Sequence, residues 1–141
     1  MMSRAIPDSL KKAFDREVAS LHGRVPGVIG CVIATVDGRL VSSVVDNEAD
    51  PQRVSAMAGS MVALGETIGR EVKIGRSQFV VVSALGGILL LQRVPAEREL
   101  LVVGTLARNN TNLGILLHET RGTASTIGRE LDEWLAANLK G

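Results

Sequence analysis

The sequence predicts a single α/β (α+β) domain: a five-stranded, mainly antiparallel sheet that helices cover on both faces. Helix-like and strand-like stretches follow one another in the order α-β-β-α-β-β-β-α, and no linker or internal repeat interrupts the 141 residues. The last three strand-like stretches are apolar at consecutive positions, and a strand that is apolar on both sides needs cover on both sides. A chain of this length supports one domain with a full hydrophobic core.

The first helix is predicted over residues 8–24, where Leu10, Phe14 and Val18 recur at helical spacing. Asp8 or Ser9 is expected to cap this helix. The N-terminal residues 1–7 are predicted to be an extension that precedes the domain.

The stretch VPGVIGCVIATVDGRLVSS, residues 25–43, predicts a β-hairpin. Two runs rich in β-branched residues flank Asp37-Gly38, and glycine adopts at little cost the positive φ that a tight hairpin turn requires. Asp37-Gly38 is therefore most simply a turn rather than part of a ligand cradle.

Asp50-Pro51 predicts the start of a second helix that runs to about Val72, with Asp as the N-cap and Pro in the first helical position. One stripe of this helix is apolar and is assigned to the core: Val54, Met57, Ala58, Met61, Leu64, Ile68 and Val72. The opposite stripe is built of small residues: Ala56, Gly59, Ser60, Ala63 and Thr67. Such a stripe is either a weakly interacting surface or a close helix–helix contact with a second copy of the chain.

Three further strands are predicted in SQFVVVSA, GILLLQRV and ELLVVGTLA. QFVVVSA carries no proline and no charge, so as an edge strand it would be unprotected. It would pair with another chain, or a loop would cover it. The following stretch, RNNTNLGILL, predicts a last helix with Asn110 or Thr111 as its N-cap. Gly122 and Gly128 predict a kink in this helix or its division into two shorter ones.

Composition argues against several classes of function. The net charge of +1 and the three aromatic residues, Phe14, Phe79 and Trp134, argue against a nucleic-acid surface. The longest apolar run is too short to span a bilayer and contains Gly86-Gly87. With no secretory leader and a single cysteine, the expected location is the cytoplasm.

No motif for catalysis, metal binding or a cofactor is present in the sequence. GREVKIGRS, residues 69–77, has five residues between its glycines where a P-loop has four, and it lies between a helix and a strand instead of a strand and a helix. Cys31 lies in an apolar strand, where burial raises the pKa of a thiol. His22 and His118 belong to different helices and lack ligand spacing. The sequence therefore predicts no enzyme, no metal site and no cofactor.

The order and spacing of these stretches resemble the roadblock family, which includes dynein light chains of that name and bacterial regulators of Ras-like GTPases. The resemblance extends from about Leu10 to Leu135. It is carried by the hairpin, the Ala/Gly-rich DPQRVSAMAGSMVALGETIG, the lengths of the last three strands, and NTNLG, which is similar to the family's Asn-x-x-Leu-Gly. The resemblance implies a profilin-like/roadblock architecture over residues 8–138, with residues 139–141 as the C-terminal end.

The resemblance also implies a homodimer, formed through the second helix and third strand, that binds a bacterial Ras-like small GTPase. The implied dimer interface comprises Ala56, Gly59, Ser60, Ala63, Thr67, Phe79, Val80, Val81, Val82 and Ser83. The implied GTPase contacts are Gln52, Arg53, Glu66 and Arg70. A heterodimer with a related subunit stays open at this point.

Two other functions remain open, a small-ligand sensor and a pure scaffold subunit of a larger complex. A sensor should contain a pocket with convergent polar groups. Ser83 and Thr105 are nearly the only hydroxyl groups expected inside the strands, which disfavours the sensor.

Overall fold

The computed structural model describes residues 6–138, so most of the predicted N-terminal extension and all of residues 139–141 lie outside the described part. Three helices and five strands follow in the predicted order. They are α1 (Asp8–Arg24), β1 (Val28–Thr35), β2 (Leu40–Val45), α2 (Pro51–Glu71), β3 (Phe79–Ala84), β4 (Gly87–Arg93), β5 (Leu101–Ala107) and α3 (Leu113–Asn138). No helix within residues 6–138 has the length and apolar character needed to cross a bilayer.

The five strands form one sheet in the order β2-β1-β5-β4-β3, and all neighbouring strands are antiparallel. β2 and β3 are therefore the edge strands. β3 pairs with β4 from Phe79 opposite Gln92 to Ala84 opposite Gly87. The position of QFVVVSA at an edge of the sheet is thereby confirmed.

The sheet is covered on both faces, as its strands predicted. The larger core lies under α1 and α3, and it includes Phe14, Leu90 and Leu116. A smaller cluster on the other face joins α2 to Leu91 and Val102. Consecutive residues of one strand, such as Leu90 and Leu91, thus enter opposite cores, which is the physical reason for strands that are apolar on both sides.

Asp37-Gly38 forms the turn of the first hairpin, as predicted. Gly38 has a φ of +93°, and its N–H donates to the Thr35 carbonyl oxygen at 2.9 Å. The Thr35 hydroxyl donates to the Asp37 carboxylate and so fixes the turn from inside. The pairing of β1 with β2 is irregular between Ile33 and Ala34.

The three helix starts follow the predictions to different degrees. Asp50 caps α2 as predicted, because its carboxylate accepts from the Gln52 N–H at 3.0 Å. α3 is capped by Asn112, whose Oδ1 accepts from the Ile115 N–H at 2.9 Å, so the predicted caps at positions 110 and 111 are wrong. α1 starts after Pro7 with no side-chain cap, which corrects the expected cap at position 8 or 9.

The predicted break in the last helix is also wrong, because α3 is one helix of 26 residues. Gly128 packs against the main chain of Pro95, where a Cβ would overlap the carbonyl oxygen. Gly128 therefore allows a close approach to the β4–β5 loop. Gly122 is exposed, and a Cβ there would meet nothing within 4 Å.

The two glycines of α3 should respond oppositely to alanine. We expect Gly122→Ala to raise the free energy of unfolding by about 1 kcal/mol, because alanine is the better helix former. Gly128→Ala should lower it by about 1–3 kcal/mol through overpacking against Pro95. Chemical denaturation measures both, and equal effects of the same sign would contradict the different roles of the two residues.

Glu130 is a poorly solvated carboxyl on α3. Its Oε1 is buried and has no hydrogen-bond partner in the described residues. Burial and the nearby Glu17 carboxylate raise the pKa of Glu130 above its ordinary value. Folding therefore disfavours the charged carboxylate relative to the unfolded chain, so the charge on Glu130 lowers the free energy of unfolding at neutral pH.

We expect Glu130→Gln to raise thermal stability at pH 7, by less than about 1 kcal/mol. In the wild type, the loss of stability caused by the charged Glu130 carboxylate reaches its full size above the raised pKa of the folded state. It disappears as the pH falls below the pKa of an unfolded glutamate, about 4.3. Melting curves from pH 4 to 8 should converge at the acidic end, with Glu48→Gln, exposed and remote from Glu130 in the sequence, as the control. A stability difference independent of pH would contradict this account.

Candidate interaction surface

Several bulky apolar residues of α2 face outward, not into the core as the sequence predicted, whereas Met61 packs against the smaller core as predicted. Met57, Leu64 and Ile68 are 57%, 52% and 51% exposed. Val72, just after the helix, is exposed as well, while Ala58 is the one residue of the predicted stripe that is buried. The prediction assigned the large apolar residues to the core because of their size and hydrophobicity. The side of α2 that faces the sheet instead consists mainly of small residues: Ser55, Ala58, Gly59, Val62 and Gly69.

A glycine contact sets this orientation of α2. A Cβ on Gly59 would lie 2.8 Å from the Val36 carbonyl oxygen and 3.0 Å from the Gly38 N. A Cβ on Gly38 would lie 3.1 Å from the Ala56 Cα. The helix thus rests on the first hairpin turn through main-chain atoms. Gly59 is in an intramolecular contact, which corrects its assignment to a surface between two copies.

The other four small residues of the predicted stripe, Ala56, Ser60, Ala63 and Thr67, are exposed. Their hydroxyl groups have partners within α2. Ser60 Oγ donates to the Ala56 carbonyl oxygen at 3.4 Å, and Thr67 Oγ1 donates to that of Ala63 at 3.1 Å. The stripe can therefore be covered without removing a partner from either hydroxyl.

β3 offers an unpaired main-chain edge beside this helix. Phe79 and Val82 are 37% and 39% exposed, Ser83 is exposed, and Val80 and Val81 are half-buried. The strand contains no proline and no charged side chain. Natural proteins usually protect an open edge with such residues or cover it.

An apolar groove of 490 Å³ connects the helix to the strand. It is lined by Ala56, Met57 and Ser60 of α2, Val82 of β3, and residues beneath them. Helix stripe, groove and strand edge therefore form one continuous surface, here called the α2–β3 surface. Its exposed members are Ala56, Met57, Ser60, Ala63, Leu64, Thr67, Ile68, Phe79, Val82 and Ser83.

Three of the four predicted GTPase contacts, Gln52, Arg53 and Arg70, are exposed on α2. Gln52 and Arg70 are about five helical turns, or about 27 Å, apart, and therefore lie on one line along the helix. Arg53 has a carboxylate neighbour, Asp50, at 3.8 Å. These residues flank the α2–β3 surface at both ends of the helix.

Glu66, the fourth predicted contact, bonds within its own chain. Its carboxylate lies 3.4 Å from Arg76 and 3.4 Å from Arg93, and it accepts from the Ser77 N–H at 3.1 Å. Burial alone would raise the pKa of Glu66, but the Ser77 amide and the two guanidinium groups outweigh it and lower the pKa. Glu66 therefore secures the α2–β3 loop, which corrects its assignment to the outer rim.

The groups considered for catalysis are not assembled into a reactive site. Burial raises the pKa of the Cys31 thiol to about 12, so the nucleophilic thiolate is disfavoured. His22 Nε2 contacts the Asp46 carboxylate at 2.9 Å in an exposed position. Within residues 6–138, no three His, Cys, Asp or Glu side chains lie together in a way that could hold a metal ion.

A family model described as the Roadblock/LC7 domain matches residues 14–105. No protein of curated function matched the sequence.

Several solved structures share the fold. A Roadblock/LC7 domain from Streptomyces avermitilis is 21% identical with a TM-score of 0.74, over 83% of this chain and 96% of that one. MglB of Myxococcus xanthus is 12% identical with a TM-score of 0.77, over 97% and 98%. The gliding protein MglB from Thermus thermophilus is 9% identical with a TM-score of 0.78, over 91% and 95%. At these identities the similarity shows a common fold.

Proposed function

We propose, since this chain belongs to the Roadblock/LC7 domain family, that it is a non-enzymatic homodimeric regulator or adaptor of a bacterial Ras-like small GTPase. The observation that supports this proposal most directly is the α2–β3 surface. It combines exposed apolar side chains with an open strand edge, and both features are costly to leave in water.

A second copy of the chain satisfies both features at once. Two β3 strands related by a two-fold axis pair in antiparallel fashion and extend the sheet from five to ten strands. Directly paired residues lie on the same face of an antiparallel pair. Val80 packs in the cluster under α2 and Val82 lines the groove beside it, so this face of β3 is the α2 face. One symmetry operation therefore brings both β3 edges and both α2 helices together.

The small residues of α2 fit a close contact between two helices. Ala56, Ser60 and Ala63 let the helix backbones approach, while Met57 and Leu64 flank them and can enter the groove of the other copy. The hydroxyl groups keep their partners within α2 during this association.

The GTPase assignment rests on the family, whose bacterial members are associated with Ras-like GTPases. Gln52, Arg53 and Arg70 are the exposed candidates on α2, and a dimer presents them twice around its axis. A regulator changes a GTPase switch only by binding one of its states more tightly than the other. Binding without a preference for GDP or GTP would define a scaffold instead.

The dimer is tested by a charge on the exposed stripe. We expect Ala63→Arg to yield a folded monomer at low micromolar concentration, because it places a guanidinium between two closely packed helices. Light scattering measures the mass and circular dichroism the fold. Ala19→Arg, on the exposed side of α1, should leave the dimer intact. An Ala63→Arg variant that remains dimeric would count against this interface.

Gly59→Glu tests the inward face of α2, whereas Ala63→Arg tests the exposed face. It should lower thermal stability strongly, because the added side chain meets the main chain of the first hairpin turn. A well-folded Gly59→Glu monomer would contradict the intramolecular role of Gly59.

The GTPase partner is tested by a pull-down from native lysate with GDP or with a non-hydrolysable GTP analogue, read by mass spectrometry. We expect a Ras-like GTPase to be enriched in one nucleotide state only. Arg70→Glu should lower its recovery, whereas Arg129→Glu, exposed on α3, should not. Equal recovery in both states would favour the scaffold, and recovery of no GTPase would count against the proposal. A hydrolysis assay with the captured GTPase then determines whether GTP turnover is accelerated.

A further inference from the structure

A polar cleft of 480 Å³ lies on the side of the sheet edge away from the α2 groove, next to α3. The loop between α2 and β3, the end of β4, the β4–β5 loop and α3 form its walls. Its lining is Arg76, Ser77, Gln78, Gln92, Arg93, Pro95, Glu99, Arg121 and Ser125. These residues include three arginines and one glutamate, and the Glu66 carboxylate contacts two of the arginines, so the local balance is one positive charge.

The three guanidinium groups are engaged to different degrees. Arg76 forms a two-pronged pair with Glu99, at 3.0 Å and 2.7 Å, and Arg93 lies 3.4 Å from Glu66. Arg121 pairs with no carboxylate in the described residues. Its Nη2 donates to Gln78 Oε1 at 3.0 Å, and its guanidinium lies 5.6 Å from the centre of the Phe79 ring.

The Phe79 ring and the Gln78 amide hold Arg121 at the cleft while leaving most of its N–H donors free. A guanidinium has five donors in a planar fork, and only one has an acceptor here. Ser125 lies one helical turn after Arg121 on α3 and adds a hydroxyl to the same wall. Ser77 adds another from the opposite side. Hydrogen-bond donors from α3 and from the loop before β3 therefore line the same cleft.

One buried donor near the cleft is unsatisfied. Arg93 Nε has no hydrogen-bond partner in the described residues. Arg93 belongs to the lining of the cleft. Buried polar atoms without partners are few in native proteins and concentrate where a function accounts for them.

We propose that this cleft binds a phosphoryl group through Arg121, the one arginine of the lining without a carboxylate partner in the described residues, with Ser125 and Ser77 supplying hydroxyl donors. A phosphate monoester carries about two negative charges near neutral pH and three acceptor oxygens, which suits a cleft with surplus arginine and several separated donors. Arg76 already forms two hydrogen bonds with the Glu99 carboxylate. The bound phosphoryl group is therefore placed at Arg121.

This site is distinct from the P-loop that the sequence excludes. GREVKIGRS contributes only Arg76 and Ser77 to the lining, and neither of its glycines is among the lining residues. The lining includes none of Gln52, Arg53 and Arg70, the exposed candidates for GTPase contact. The inference therefore goes beyond the proposed GTPase function and does not depend on it.

The test is an NMR titration of the ¹⁵N-labelled protein with inorganic phosphate, at constant ionic strength, with chloride and acetate as comparison anions. We expect saturable shifts of the Ser77, Gln78 and Ser125 amides with phosphate. Arg121→Gln should weaken binding about tenfold, the value of one charge-assisted hydrogen bond. Arg129→Gln, exposed on the same helix but outside the cleft, should bind as the wild type does.

Ser125→Asp is a second variant that keeps every arginine. It should abolish the phosphate-induced amide shifts, because the new carboxylate repels the phosphate. A nucleoside monophosphate and a phosphoserine peptide then distinguish the source of the phosphoryl group, since the natural class should bind more tightly than phosphate alone. Non-saturating shifts, equal shifts with acetate, or equal losses in Arg121→Gln and Arg129→Gln would overturn the proposal. The Ala63→Arg variant should bind phosphate normally, so failure of the dimer and failure of the cleft are distinguishable.

Discussion

The contact between α2 and the first hairpin turn determines which side of α2 is exposed, and the rest of the surface depends on that orientation. Gly59 and Gly38 lack side chains at the crossing, so main-chain atoms of the helix and the turn pack directly. The helix therefore lies with Ser55, Ala58 and Gly59 inward, and Met57, Leu64 and Ile68 remain outside. A side chain on either glycine would have to lift or rotate the helix. The exposed apolar surface is in this sense a consequence of a packing contact on the opposite side of α2.

The helices on the two faces of the sheet bury those faces to different extents. α1 and α3 cover one face over a large core, while α2 covers the other over a small cluster. β3, at the edge, receives only partial cover and leaves its main-chain groups open. Because the exposed face of α2 lies beside that edge, both incompletely buried features occur on one side of the protein. That coincidence is what favours a protein partner over a reaction as the function of this chain.

Ion pairs link this surface to the polar cleft. Glu66 connects α2 with Arg76 and Arg93, and Arg76 continues to Glu99 in the β4–β5 loop. The same two arginines lower the pKa of the Glu99 carboxyl, and the hydrogen bond from Arg76 is the main cause. These contacts fasten the loop that leads into Phe79, the first residue of β3. The position of the strand edge and the shape of the cleft therefore depend on one network of charged side chains.

The sequence by itself determined the features that depend on neighbours along the chain. These include the Asp37-Gly38 turn, the Asp50 cap, the element order, the strands apolar on both faces and the unprotected edge at QFVVVSA. Only the tertiary structure decided which side of α2 faces the core, that Gly128 allows one continuous helix to approach Pro95, and that Glu66 turns towards two arginines. Each of these depends on atoms far away in the sequence. Residue size and hydrophobicity describe what a side chain prefers, whereas the space that a distant backbone leaves decides where it lies.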